Sequence, residues 1–395
     1  MLAVQHHISG IKLTYAGTID RILTGYNAMD NENTQTESEQ VKVIIHCLVY
    51  NHEPYLRDCL EGFVMQQTNF PFKAVVHDDC STDNSAAIIR EYAEKYPHII
   101  EPIYETENQW RKGTLDGIMD NAILGRSPYI AYCEGDDYWT DPLKLQKQVD
   151  YMDEHPECSM TCTNAEILTP TGILSEDFLI QSGWERPTKT SLLRPEDIIK
   201  KGGLHIYLHT CTKVIKANLL PEIRRVLKPC AIADYPLQIM AALNGIVFYF
   251  HDKTACYRYA NPGSWTEKIQ RNTTSTGNYN IRIKNSLLQI LANLNQYSKN
   301  KYSKDFISTQ VEIVIHCLHS TPNKQKNIVL RELGWAIKYD YVSQNTQKQF
   351  SSFYEKVVFS LKRILVWPYY PFPNALKLIL PAWHPVVVLA KLLGK

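Results

Sequence analysis

The hydrophobic pattern of this chain begins at Val41, where a nearly continuous apolar and β-branched run extends to Val49. Such a run predicts a strand buried on both faces, as in a parallel sheet. Similar runs follow at Phe72–Val76, Ile99–Tyr104 and Tyr129–Cys133, and apolar residues recur at helical spacing between them. The pattern predicts the order β-α-β-α-β-α-β, a parallel sheet with right-handed crossovers and helices on both faces.

The later pattern divides the chain into three predicted regions. Residues 1–40 are expected to be an N-terminal leader, either disordered or outside the translated protein, because 31–40 are polar and short apolar patches precede them. Residues 41–262 are expected to form the α/β domain. Residues 263–395 show helical periodicity and form a predicted C-terminal helical extension, with a tail from 367 that is rich in aromatic and aliphatic residues and carries only basic charges.

Carboxylates follow two of the predicted strands. Glu134, Asp136 and Asp137 come directly after Tyr129–Cys133, and Asp78-Asp79 follows Phe72–Val76. Ligands of open α/β sheets bind outside the carboxyl ends of the strands, and carboxylate oxygens suit Mg²⁺ or Mn²⁺. The sequence therefore predicts a metal and diphosphate site at this edge. The alternative for each cluster is an acidic loop whose aspartates cap turns or helices.

Charge and cysteine content narrow the classes of function. The 42 Lys and Arg residues nearly balance the 41 Asp and Glu residues, which argues against a nucleic-acid binder. The ten Cys residues include no CxxC pair, so a structural zinc site or a disulfide scaffold is not expected, and we predict a reducing cytosol as the location. The sequence contains no run of eighteen apolar residues, so it does not predict a transmembrane helix.

Taken together, these motifs resemble glycosyltransferase family 2, the inverting enzymes with the GT-A fold. The resemblance rests on Val43–Asn51, on Asp78-Asp-Cys-Ser-Thr-Asp83 and on Tyr132-Cys-Glu-Gly-Asp-Asp137, and it extends from about Val41 to Tyr259. It implies a GT-A type, mostly parallel sheet and a nucleotide-sugar donor, with a UDP-sugar favoured. It also implies a divalent cofactor, Mn²⁺ or Mg²⁺.

The resemblance also assigns roles to residues. The donor would be held by Tyr50, Asn51, Glu53, Asp78, Asp79, Glu134 and Arg258. The family's Asp-x-Asp element corresponds to Glu134-Gly135-Asp136, which makes Asp136 the predicted metal ligand and Glu134 a departure from the usual Asp. Arg258 would meet the diphosphate, although a surface arginine is an equal alternative.

An inverting transfer needs a base that takes the proton of the acceptor hydroxyl. In the resembling family an acidic pair that opens a helix supplies it; here Ala233 replaces the first acid, and Asp234 is the sole candidate. The alternative is an aspartate that only caps this helix. Predicted acceptor contacts are Trp139, His209 and Asp137, with core packing as the alternative for the indole and a structural histidine for His209.

These observations predict a cytoplasmic, metal-dependent glycosyltransferase that extends a glycan or lipid-linked glycan in surface polysaccharide synthesis. The basic, aromatic tail suits peripheral contact with a membrane surface, and a helical cap on the domain is the alternative. One rival function is a binding or scaffold protein that kept the fold without activity. A second rival, a sugar nucleotidyltransferase, would require a Gly-rich phosphate loop after the first strand, where Tyr50-Asn-His-Glu53 stands instead.

Overall fold

Strands and helices alternate through most of the chain. The computed structural model describes residues 40–174, 186–202, 208–227, 234–262, 264, 267 and 277–320. The strands in these ranges are β1 (Val43–Val49), β2 (Phe72–Asp78), β3 (Ile100–Tyr104), β4 (Tyr129–Tyr132), β5 (Tyr138–Trp139), β6 (Cys158–Thr169), β7 (Gly172–Ile173), β8 (Ser191–Leu193), β9 (Val214–Lys216) and β10 (Ile246–Arg258). The helices are α1 (Leu56–Val64), α2 (Ser85–Lys95), α3 (Gln109–Lys112), α4 (Leu115–Ile123), α5 (Lys144–Glu154), α6 (Pro195–Lys201), α7 (Leu220–Leu227), α8 (Asp234–Asn244), α9 (Gly277–Tyr297) and α10 (Ser303–Ser320).

All of these strands belong to one sheet, in the order β3-β2-β1-β4-β9-β6-β10-β5, with β7 beside β6 and β8 beside β10. The neighbours β3, β2, β1 and β4 run parallel, as the alternating sequence pattern predicts. The predicted α/β class is confirmed. Parallel pairing is confined to this half and to β6 with β10, because β9 is antiparallel to both β4 and β6.

The two faces of the sheet contribute to two apolar clusters. Val43 and Ile45 of β1 belong to one cluster, with residues of α1, α2 and α5. Ile44, between them, belongs to the other cluster, with residues of α4, α7 and α8. This alternation follows from the two-residue repeat of a strand. It places the acidic strand ends at an edge that helices border on both sides.

Two helices after residue 262 cover the same face as α8. Leu288 of α9 and Phe306 of α10 are fully buried in the cluster that contains Ile44. The predicted helical extension is therefore helical over the part that is described, while the predicted leader up to residue 39 and the tail from 321 lie outside the described residues. Within the described ranges, none of the helices combines the length and apolar character that a membrane span requires.

Candidate active site

The loops after β1 and β2 are joined to each other by side chains. Asn51 adopts a left-handed backbone (φ 57°), and its Oδ1 accepts the Thr82 N–H over 2.7 Å. Glu53 accepts the backbone N–H of Asn84 over 3.1 Å and its side-chain amide over 2.6 Å. The side chains of Asn51 and Glu53, two of the predicted donor contacts, thus fix the relative position of the two loops, and Tyr50 lies half-buried at the end of β1.

The adjacent carboxylates Asp78 and Asp79 have different environments, although both are buried. Asp79 accepts the backbone N–H groups of Gln109 (2.5 Å) and Trp110 (3.1 Å), the first two of α3. In Asp78, Oδ2 accepts the Ser81 N–H over 3.3 Å, whereas the buried Oδ1 has no hydrogen-bond partner among the described residues. A buried acceptor without a donor is costly, so Asp78 Oδ1 is the atom available to an N–H donor of a ligand.

The acidic loop after β4 closes tightly on β1 at Gly135. Its N–H donates to the Leu48 carbonyl over 2.9 Å. A Cβ at this position would lie 2.8 Å from Nδ1 of His52 and 2.9 Å from Cγ2 of Val49, closer than real Cβ contacts. Gly135 is thus required by close packing, and it positions the carboxylates on either side of it.

The pKa of Glu134 is affected by the negative charges of the two other candidate acids, Asp136 and Asp234. Burial of its carboxyl group and the negative charges of Asp234 and Asp136 raise the pKa of Glu134 to about 8, and Lys213 opposes this rise. The side chain as a whole is exposed to solvent, so water screens part of the repulsion. Asp234, the first residue of α8, therefore lies near the acidic loop, although it comes one hundred positions after Glu134 in sequence, and the space between these two exposed side chains is called the cleft.

Asp137 and Arg258 connect the acidic loop to the end of β10. The Arg258 N–H donates to Oδ1 of Asp137 over 2.8 Å, and its Nη1 donates to the Asp136 carbonyl over 2.8 Å. Its Nη2 pairs with Asp58 of α1, and the guanidinium lies 4.5 Å from the ring centre of Tyr138. Arg258 is only 7% exposed, so its observed contacts support the acidic loop.

The three predicted acceptor contacts lie below the cleft surface. Trp139 is 2% exposed, donates from Nε1 to the Cys211 carbonyl over 2.7 Å and packs against Phe63, so core packing is the alternative that is observed. Asp137 is 2% exposed and His209 is 3% exposed. Direct contact with an acceptor does not fit this burial, because a sugar requires an accessible surface. All three side chains support the site from within the core.

Sequence reasoning missed the roles of Lys213 and Tyr257 as residues that border the acids. Besides burial, the negative charges of Asp137, Asp136, Glu134 and Asp234 raise the pKa of Tyr257. Its ring centre lies 4.6 Å from that of His209. Lys213 is 1% exposed and interacts electrostatically with Asp234 and Glu134. The signal that could have identified Lys213 is its position inside the apolar stretch before β9, because lysines are rarely buried.

The acidic loop has the chemistry that suits a divalent ion. Its candidate ligands are hard carboxylate oxygens, and their mutual repulsion at Glu134 is what a cation relieves. In the described ranges, no three His, Cys, Asp or Glu residues form a ready-made ion site. Mg²⁺ is usually held by one or two carboxylates together with substrate phosphates, so Asp136 and Glu134 fit a shared site of this kind.

Comparison with known proteins agrees with this geometry. The family profile described as Glycosyl transferase family 2 matches residues 44–211. An uncharacterized protein of Mycobacterium tuberculosis is 34% identical over 216 residues, which cover 55% of this chain and 58% of that protein. The putative teichuronic acid biosynthesis glycosyltransferase TuaG of Bacillus subtilis is 29% identical over 130 residues, covering 33% of this chain and 49% of that protein.

Among solved structures, Staphylococcus aureus TarS 1–349 in complex with UDP-GlcNAc aligns with 79% of this chain and 92% of its own, at 15% identity and a TM-score of 0.44. The curated relatives are matched over less than two thirds of their length. The likeness to this family rests on the profile, which includes most of β1, both acidic strand ends and the segment before β9. Residues 44–211 thus match the profile of glycosyl transferase family 2, the family that the sequence motifs resemble.

Proposed function

We propose that the protein is an inverting glycosyltransferase that moves a sugar from a nucleotide-sugar, most favourably a UDP-sugar, to a hydroxyl of a glycan acceptor. The observation that carries this proposal is the match of residues 44–211 to the glycosyl transferase family 2 profile, which includes the acidic loop. The negative charges of Asp136 and Asp234 both act on the carboxyl group of Glu134, so a carboxylate at the start of α8 lies near that loop. A transfer site needs both, one to face the donor and one to face the acceptor.

The donor end of the proposed site is the paired loop after β1 and β2. Asp78 Oδ1, which is buried and has no partner in the part of the chain that the structure describes, accepts an N–H of the nucleotide base. Tyr50 lies at the same strand edge, with Asn51, Glu53 and Asp79 holding the loops around it. A divalent ion, Mn²⁺ or Mg²⁺, held by Asp136 with Glu134 would neutralise charge on the leaving diphosphate. Arg258 keeps this loop in place through the Asp136 carbonyl.

The acceptor end of the proposed site is Asp234. Its exposed carboxylate takes the proton of the acceptor hydroxyl while the hydroxyl oxygen bonds to the anomeric carbon. The bond from that carbon to the diphosphate oxygen breaks on the opposite face, and the nucleoside diphosphate leaves with the electron pair. Asp234 lies at a helix N-terminus, where the helix dipole favours a negative charge.

The wider biological role is also part of the proposal. One relative is named for teichuronic acid biosynthesis and another for minor teichoic acid biosynthesis, and both names concern surface polymers. We place this enzyme in the cytoplasm, acting on a glycan or lipid-linked glycan for surface polysaccharide. The basic, aromatic segment after residue 366 would provide peripheral contact with the membrane.

Release of the nucleoside diphosphate in the presence of Mn²⁺ tests the proposal. A panel of nucleotide-sugars is first screened by thermal shift, because a ligand at 100 times its Kd stabilises the folded state by about 2.7 kcal/mol. With the stabilising donor, we expect D136A and D234N to lower turnover by roughly 10²–10⁴-fold.

The matched control for these variants is D252N, which removes the same charge at an exposed position of β10 and should retain full turnover. Equal turnover in D234N and the wild-type protein would contradict the assignment of the base. Donor binding without turnover in any donor and acceptor combination would instead favour the non-catalytic binding role.

A further inference from the structure

Lys213 is a buried lysine at the end of β4, beside the acidic loop. Its carbonyl accepts the Tyr132 N–H over 3.1 Å, and the antiparallel register pairs Val214 with Ala131. Lys213 is only 1% exposed. It therefore lies across from the last residue of β4, two positions before Glu134.

The strand repeat fixes the side of the sheet to which Lys213 points. Val214 packs in the cluster with Val43, whereas Ile215 packs in the cluster with Ile44 and with residues of α8. Lys213 shares the side of Ile215, because side chains alternate along a strand. Asp234 begins α8 on that side, and the carboxylates of Asp234 and Glu134 counteract the effect of burial, which lowers the pKa of Lys213.

The ammonium group of Lys213 has no hydrogen bond or ion pair within 4 Å among the described residues. Lys144, a second fully buried lysine in the described ranges, is different: its Nζ donates to Gln148 and lies 4.5 Å from the ring centre of Trp139. A buried cation is costly without compensating charge. For Lys213, the acidic loop after β4 and the start of α8 are the nearby sources of negative charge, because Lys213 lies beside the end of β4 and on the side of the sheet that α8 covers.

We propose that Lys213 is a built-in counter-cation of the active-site cleft. From its buried position opposite the end of β4, it supplies part of the positive charge beside the acidic loop that a divalent ion would otherwise provide. This inference rests on the proposed function and deepens it: Lys213 is a positioning residue that acts through Glu134 and Asp234. It predicts that the lysine weakens divalent-ion binding while it supports transfer.

Mn²⁺ titration followed by electron paramagnetic resonance of the free ion tests the inference. K213M removes one positive charge near the acidic loop, so this variant should bind Mn²⁺ about three- to tenfold more tightly than the wild-type protein. K213R should bind Mn²⁺ as the wild-type protein does, and transfer by K213M should fall and be rescued in K213R. A loss of packing alone would weaken binding and transfer together, so the opposite signs identify the electrostatic role.

The matched control is K216M, which removes the same charge near the other end of β9, where the Lys216 ammonium contacts the Pro156 carbonyl. K216M should leave the Mn²⁺ affinity unchanged. If K213M is poorly folded by circular dichroism, K213Q and the K213M/D234N double variant replace it, and the double variant should return toward wild-type affinity. Unchanged or weaker Mn²⁺ binding by folded variants, equal tightening in K216M, or no Mn²⁺ binding by any variant would overturn the inference.

The Mn²⁺ titration tests the counter-cation and the transfer assay tests the proposed function, so a negative result in one does not decide the other. A protein that transfers no sugar, but whose K213M variant binds Mn²⁺ more tightly, contradicts the proposed function and leaves the counter-cation in place. A protein that transfers sugar, but whose K213M variant shows no tightening, contradicts the counter-cation alone.

Discussion

The backbone N–H of Arg258 donates to Oδ1 of Asp137 over 2.8 Å, and this bond joins the last residue of β10 to the acidic loop after β4. The guanidinium of the same arginine binds the Asp136 carbonyl and pairs with Asp58. The position of the predicted metal ligand thus depends on a residue more than a hundred positions away in sequence. Arg258 stabilises the loop in the fold and orients it for the proposed reaction.

Replacing Arg258 should therefore affect stability and the site together. R258A leaves the Asp136 carbonyl without its donor and removes a nearly buried cation, which should lower the free energy of unfolding by about 2–4 kcal/mol. R258K should recover little, because a lysine cannot bind the carbonyl and Asp58 in a fork. Urea denaturation measures the loss, and Mn²⁺ titration of the folded variants measures the effect on the loop.

The control for Arg258 is D58N. It removes only the exposed partner of the pair, whose side chain is 59% accessible. We expect a loss of no more than about 1 kcal/mol, as for other exposed ion pairs. A loss in D58N as large as that in R258A would show that the ion pair, and not the bond to the acidic loop, carries the stabilisation.

The neighbouring acids Asp78 and Asp79 should respond differently to substitution. D78N changes a buried carboxylate with one unused oxygen, so the fold should be nearly unaffected while nucleotide binding weakens about 10- to 100-fold. D79A removes the acceptor of the first two N–H groups of α3 and should cost about 1–2 kcal/mol of stability. Calorimetric titration with the nucleoside diphosphate and thermal unfolding separate the two effects. Each variant is the control for the other, and the reversed pattern would exchange the two roles.

Gly135 offers a test of the tight closure of the acidic loop. A methyl group there would meet His52 and Val49 at under 3 Å, so G135A should cost about 1–3 kcal/mol and displace Glu134 and Asp136. Gly117 in α4 has open space around it, and G117A should be neutral or slightly stabilising. Thermal unfolding and Mn²⁺ affinity are measured for both variants. Wild-type Mn²⁺ binding in G135A would show that the loop tolerates the displacement.

The parts of the site that the sequence predicted are those with a local signal. A buried apolar run that ends abruptly in carboxylates identifies a strand end, and both Asp78 and Asp136 were found in this way. The parallel order of β1 to β4 followed from the same alternation, because short crossovers allow few topologies. These features depend on residues that are close in the chain, so pattern and spacing suffice.

The remaining parts depend on contacts between distant segments. Lys213 lies beside the end of β4 because β9 inserts antiparallel between β4 and β6, a pairing that no local pattern encodes. Trp139 belongs to a two-residue strand, too short for its alternation to reveal whether the indole is exposed or buried. The roles of Asn51 and Glu53 in joining two loops depend on partners thirty residues away. Sequence alone named Trp139, Asn51 and Glu53 but could not determine which way they face, and it did not identify Lys213 at all.

His209 should make the protein sensitive to acid. Burial and the positive charges of Arg186 and Lys213 lower the pKa of His209 from 6.5 to about 3. Between these values the unfolded chain binds a proton that the folded protein does not. The stability contributed by neutral His209 is therefore complete above pH 6.5 and is lost as the pH falls toward 3, at about 1.4 kcal/mol per pH unit.

The variant H209Q removes this titration. Between pH 7 and pH 5, the free energy of unfolding of the wild-type protein should fall by about 2 kcal/mol more than that of H209Q. The two proteins are compared by how their free energies of unfolding change with pH. The loss of the contact with the Tyr257 ring in H209Q is the same at every pH and therefore cancels. The comparison also cancels every other group that titrates equally in both proteins. H251Q, at an exposed position of β10, is the control and should keep the wild-type slope. Parallel slopes for H209Q and the wild-type protein would mean that the folded state accepts the proton on His209, which its burial beside two cations should prevent.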